Sequence, residues 1–148
     1  MPKAEAGFTL LEVLLSVAII ALLTSISLPI YESFVRRNDL DLTAQGIVAM
    51  IRRAELYARS GYHDDSWGVA ISAGTAIIFK GPSFISRNIT YDETLIIPDT
   101  ISPSGLVEMQ FAKLTATPTP ASVGSITLNS TTNDTRTITI NGEGMVNY

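Results

Sequence analysis

Gly7-Phe8-Thr9-Leu10-Leu11-Glu12-Val13-Leu14-Leu15-Ser16-Val17-Ala18-Ile19-Ile20-Ala21-Leu22-Leu23 opens an apolar run that continues to Ile30. From Phe8 to Ile30 it covers 23 residues. As a helix that is roughly 35 Å, at about 1.5 Å per residue, enough to cross a bilayer core of about 30 Å. Glu12 is its one ionisable side chain. A charged side chain held in hydrocarbon costs about 2.5–3.5 kcal/mol on insertion scales, so a chain that keeps Glu12 there has a use for it. A secretory signal would place a small-residue cleavage site after the run. Ser25-Ile26-Ser27 is a poor candidate for one, because the core is long and Glu12 lies inside it. A plain uncleaved anchor leaves Glu12 without a role.

The periodicity then changes. Leu40, Ala44, Ile47, Ile51, Ala54 and Ala58 recur at three- and four-residue steps, one face of a helix, while Asp41, Gln45, Arg52 and Arg53 fall elsewhere on the wheel. Gly61 supplies a C-terminal stop after Ser60. Phe8–Ser60 therefore reads as one long, curved helix, apolar on all sides in its first half and one-sided in its second. Pro29 lacks an N–H and clashes with the preceding turn, which predicts a kink or a local melting of the helix there.

Beyond Gly61 the pattern is that of short strands. Trp67–Ile71 and Ala76–Lys80 flank Ser72–Thr75, whose Ala73-Gly74 makes a turn, so a β-hairpin is predicted, ended by Gly81-Pro82. Thr94–Ile97 is a strand stopped at Pro98-Asp99, and Gly105–Phe111 is predicted as one further strand. Thr115–Ser122, with Pro118 and Pro120, reads as an exposed loop. Ser125–Asn129, Arg136–Ile140 and Met145–Tyr148 are the last strands, separated by turns at Asn133-Asp134 and Asn141-Gly142. In Thr137-Ile138-Thr139-Ile140 the isoleucines point inward. The expected class is α+β, a long N-terminal helix packed on an antiparallel β-sheet head.

The N-terminal residues carry a family resemblance. Met1–Gly7 followed by Phe8-Thr9-Leu10-Leu11-Glu12 resembles the class III signal of type IV prepilins and type II secretion pseudopilins. The resemblance implies cleavage by a membrane-embedded prepilin peptidase between Gly7 and Phe8, N-methylation of Phe8, and an assembly role for Glu12. Pro29 falls where members of the family commonly break their long helix. The implied organisation is a leader over 1–7, a transmembrane and assembly helix over 8–30, an amphipathic continuation over 31–60 and a β head over 61–148. The implied life history is a single-pass protein of the bacterial inner membrane with an exported head, later a subunit of a periplasmic or cell-surface filament. Its partners would be other pilin subunits, the peptidase, an inner-membrane assembly platform and, before assembly, lipid. The leader departs from the family's basic pattern, since Lys3 is opposed by Glu5. Arg36 and Arg37 follow the apolar run and by charge counting alone favour a cytoplasmic head; the resemblance favours export. The hairpin after Trp67, and Arg136–Ile140 followed by Gly142 and Met145-Val146, resemble the head of H-type minor pseudopilins and related minor pilins.

Composition narrows the function further. The net charge is −4, and from Asn38 onward eleven acidic residues face seven basic ones. That balance gives no electrostatic case for nucleic acid. A DNA-binding minor pilin for uptake is the alternative function, and it needs a basic stripe to which Arg136 is the one contributor in the tail. There are no cysteines, which excludes disulfides, thiolate metal sites and thiol nucleophiles together. His63 is the single histidine, so no nucleophile, base and orienter assemble, and no enzyme, metal or cofactor is expected. His63-Asp64-Asp65 reads as a solvated turn, Asp92, Glu93 and Asp99 as loop carboxylates, and Gly142-Glu143-Gly144 as a turn.

Overall fold

Helix α1 spans Leu10–Ser60, and its amphipathic part is what the rest of the chain folds against. The computed structural model describes residues 7–119 and 122–148, with the side chains at 26–30, 32 and 33 also outside the description. The expected leader therefore lies almost wholly outside the described residues. The chain divides into two units after Val35.

In the first unit α1 begins at Leu10, two residues later than the Phe8 start expected from hydrophobicity alone. The helix runs through Pro29 without a break, and the proline side chain lies outside the description. The apolar side chains from Leu10 to Leu23 are exposed on every side of the helix. Ser16 donates to the Glu12 carbonyl at 2.7 Å, Thr24 to Ile20 at 2.7 Å and Ser25 to Leu22 at 2.8 Å. Such hydroxyls satisfy themselves on their own helix and need no water.

In the second unit the predicted helix face is the face that is buried: Leu40, Ala44, Ile47, Ile51, Ala54 and Ala58 are all fully inaccessible. Gly61, at φ 65, ends α1 in the left-handed conformation. The head consists of two four-stranded antiparallel sheets. One has the order β3-β2-β1-β5, built from β1 (Trp67–Ser72), β2 (Thr75–Lys80), β3 (Glu93–Ile96) and β5 (Glu108–Phe111). The other has the order β4-β6-β7-β8, from β4 (Ile101–Gly105), β6 (Gly124–Ser130), β7 (Thr135–Ile140) and β8 (Val146–Asn147). Val69, Ile71, Ile78, Met109 and Phe111 from the first, and Ile126, Leu128, Ile138 and Ile140 from the second, join the helix face in one core.

Two sequence expectations fail here. The strand predicted over Gly105–Phe111 is interrupted, Gly105 ending β4 in one sheet and Glu108–Phe111 forming β5 in the other, because Gly105, at φ 92, turns the chain and its missing Cβ would lie 2.4 Å from the Ser125 carbonyl oxygen. Leu106 then donates to Ser125 at 2.9 Å, and the Val107 carbonyl accepts from Ile71 at 2.7 Å, so this corner bonds to both sheets. β4 escaped prediction because Ser102-Pro103-Ser104 has little strand propensity. Pro103 is tolerated because β4 is a sheet edge, where a missing N–H costs no ladder bond. The loop predicted over Thr115–Ser122 is also less exposed than expected. Ala116 and Ser122 are buried, and the segment covers the free edge of β5: Ser122 Oγ accepts from Gln110 N at 2.8 Å, and Thr119 N donates to the Gln110 carbonyl at 3.1 Å.

Candidate functional site

Gly7, Phe8 and Thr9 precede the helix and lie in the open, Phe8 at 81% exposure. A Cβ built on Gly7 meets nothing within 4 Å, so the fold itself sets no demand for glycine at this position. Thr9 is the N-cap of α1. Its Oγ1 accepts from Glu12 N at 3.3 Å, and its carbonyl accepts from Glu12 N at 3.1 Å and Val13 N at 3.2 Å. Glu12 is thus the third residue of the helix, exposed, with its negative charge at the positive end of the macrodipole. Among the described residues none hydrogen-bonds its carboxylate. Thr9-Leu10-Leu11-Glu12 fits the Ser/Thr-x-x-Glu pattern of a capping box, a signal that was present in the sequence and missed because hydrophobicity dominated the reading. Among the described residues no helix is long and apolar enough to cross a membrane; the side chains described in the apolar run stop at Ser25.

The other candidates are structural. Glu93 is not a loop carboxylate. It lies in β3, where its Oε2 accepts from Arg53 at 2.6 Å and its Oε1 from the Tyr57 hydroxyl at 2.9 Å, tying the sheet to α1. Burial first, then the bond to Glu93, pushes the Tyr57 phenol above its usual range. Asp92 pairs with Arg87 at 2.8 Å. Arg136, read as alone in the tail, is held by Asp41 at 2.6 Å across a sequence separation of 95 residues. His63 lies between the rings of Tyr62 and Tyr91, at centroid distances of 4.1 and 4.5 Å. Asp64 pairs with Lys113, whose ammonium holds its carboxyl below the usual range, and Asp65 accepts from the Ser66 amide at 2.8 Å. Among the described residues no group of three or more His, Asp or Glu is placed to hold a metal. Asn141 builds the turn before β8, its Oδ1 accepting from Glu143 N at 3.0 Å and Met145 N at 2.8 Å.

An exposed apolar helix with one acid in its first turn, joined to an antiparallel head, describes a pilin-like chain. Residues 2–28 match a family model described as the prokaryotic N-terminal methylation motif. Two fimbrial proteins of Pseudomonas aeruginosa are each 26% identical over 110 residues, covering 69% of this chain and 71% of the relative. No solved structure gives a significant match. The motif and the relatives support the type IV pilin family, whose members are structural rather than enzymatic.

Proposed function

We propose that the chain is a structural subunit of a type IV pilus-like filament or type II secretion pseudopilus, and more narrowly a minor pilin or minor pseudopilin of the H type. The carrying observation is Glu12, exposed and with its carboxylate unpaired among the described residues, in the first turn of a helix whose opening stretch is apolar all round, close behind Gly7-Phe8. Before assembly the apolar run from Phe8 anchors the subunit in the inner membrane with its head outside. A prepilin peptidase cuts between Gly7 and Phe8, and the freed amine of Phe8 is methylated. That amine then lies at the positive end of its own helix, an unfavourable place for a cation. Glu12 of a neighbouring subunit offsets it. At about 4 Å and an effective dielectric of about 20 the pair attracts by about 4 kcal/mol, and leaving either charge unpaired in an apolar bundle is costly. The pair therefore fixes register and draws subunits in through the assembly platform. Pro29 is where α1 bends or opens in the filament.

The DNA-uptake alternative is disfavoured. Arg37, Arg53, Arg59, Arg87, Lys113 and Arg136 are each paired with a carboxylate, which lowers the positive charge they offer to phosphate.

The test is Glu12→Ala in the full chain, followed by membrane fractionation and recovery of sheared filaments. Insertion is expected to persist while incorporation into filaments is lost. Incorporation at the wild-type level refutes the pairing role.

A further inference from the structure

We propose that Thr9 is a positioning residue for N-terminal processing: by capping α1 it fixes the helix start at Leu10 and keeps the Gly7–Phe8 peptide bond outside the helix and open to the peptidase. This rests on the reading above that the chain is cut at that bond.

A peptide bond inside a helix has its N–H and C=O directed along the axis and wound away from any partner. Proteins that take hold of a peptide main chain commonly do so in its extended form, where those groups are free to bond. The helix start thus decides whether this bond can be engaged. Hydrophobicity alone does not place the start at Leu10, since the apolar run already begins at Phe8. Gly7 is also a competing cap, about as good as threonine at that position. A helix capped by Gly7 would take Phe8 as its first residue and wind the bond to be cut into the helix end.

Three features at Thr9 decide against that competitor. Its Oγ1 takes the Glu12 amide at 3.3 Å, which a cap at Gly7 would leave to other partners. Its carbonyl already accepts from Glu12 and Val13, closing the first turn. Phe8 and Val13 occupy the two positions that form a hydrophobic staple around a cap at Thr9, a pattern that favours Phe8 outside the helix. The outcome is the observed one: Gly7, Phe8 and Thr9 are non-helical and exposed, and α1 begins at Leu10.

The experiment uses the full-length precursor in phosphatidylethanolamine–phosphatidylglycerol vesicles with its prepilin peptidase, and cleavage is followed by intact mass. Thr9→Val keeps the shape and removes the acceptor, whereas Thr9→Ser and Thr9→Asn keep a capping oxygen. Losing an N-cap is worth about fivefold in the equilibrium it controls. Thr9→Val is therefore expected to cut kcat/KM by up to about fivefold, with Ser and Asn restoring it to within about twofold. Thr9→Ala serves as a second uncapped variant, and the near-ultraviolet signal of Trp67 reports that the head is folded in each. Wild-type rates for Val and Ala overturn the capping role, and so do Ser and Asn rates as slow as Val. If the wild-type precursor is not cut between Gly7 and Phe8 at all, the processing reading itself fails. A normally cut wild type with an unaffected Thr9→Val refutes the cap alone.

Discussion

Gly68→Ala puts the packing of the first sheet to a quantitative test. Gly68 lies in β1 opposite Phe79 of β2 and Gln110 of β5. In an open strand position, replacing glycine by alanine stabilises by about 0.5–1 kcal/mol, because the unfolded chain loses freedom. Gly68 is not open. A Cβ there would lie 2.4 Å from the Met109 carbonyl oxygen and 2.5 Å from Phe79 Cζ, against ordinary contacts beyond 3.4 Å. The fully buried Phe79 ring rests over the glycine, and Phe84 packs edge-on against that ring at 5.7 Å. The ring can shift, but the carbonyl belongs to a strand held by its ladder. Overpacking costs about 1–3 kcal/mol and the upper end applies, so the net loss is about 2 kcal/mol. For a unit the size of Arg36–Tyr148 that lowers Tm by roughly 8 °C. The assay is thermal unfolding of the full chain in detergent, read at Trp67. Gly142→Ala, where a Cβ meets nothing within 4 Å, is the control and is expected within about 0.5 kcal/mol of wild type. A Tm for Gly68→Ala equal to or above wild type refutes the described seat of Phe79.

Ile138→Ala, at a fully buried position of β7, is expected to cost about 2–5 kcal/mol in chemical denaturation. Arg136→Ala, which breaks the half-exposed pair with Asp41, is expected to cost under about 1 kcal/mol by the same measurement. Tyr57 gives a pH dependence whose sign is fixed. Its folded pKa is raised, so its contribution is whole below the pKa of an unfolded tyrosine and is lost as pH rises from there through the folded value. Unfolding free energy should fall more steeply in that alkaline window for wild type than for Tyr57→Phe.

The elements that could be read from the sequence were those in which one local pattern sufficed. Six helix positions at three- and four-residue spacing named the buried face of α1, and Trp67–Lys80 named its own hairpin because alternation and an Ala-Gly turn coincide. What escaped depends on contacts distant in sequence. β4 exists because a sheet edge accepts Ser102-Pro103-Ser104, and the division into two sheets turns on one glycine, Gly105, pressed against Ser125. The bonds of Glu93 to Arg53 and Tyr57, and of Arg136 to Asp41, join residues 36 to 95 positions apart, which no spacing rule reaches. At the N-terminus the residue types pointed to Gly7, Phe8 and Glu12, whereas the capping pattern of Thr9 and Glu12 lay hidden under the apolar run until the hydrogen bond between them showed it.

The identity of the first residue in the native, assembled protein bears most directly on the proposal that the helix presents a freed amine and a lone acid to its neighbours. Mass spectrometry of that product should find a chain beginning with N-methylated Phe8. A chain retaining Met1, or a new terminus beyond Ile26, contradicts it.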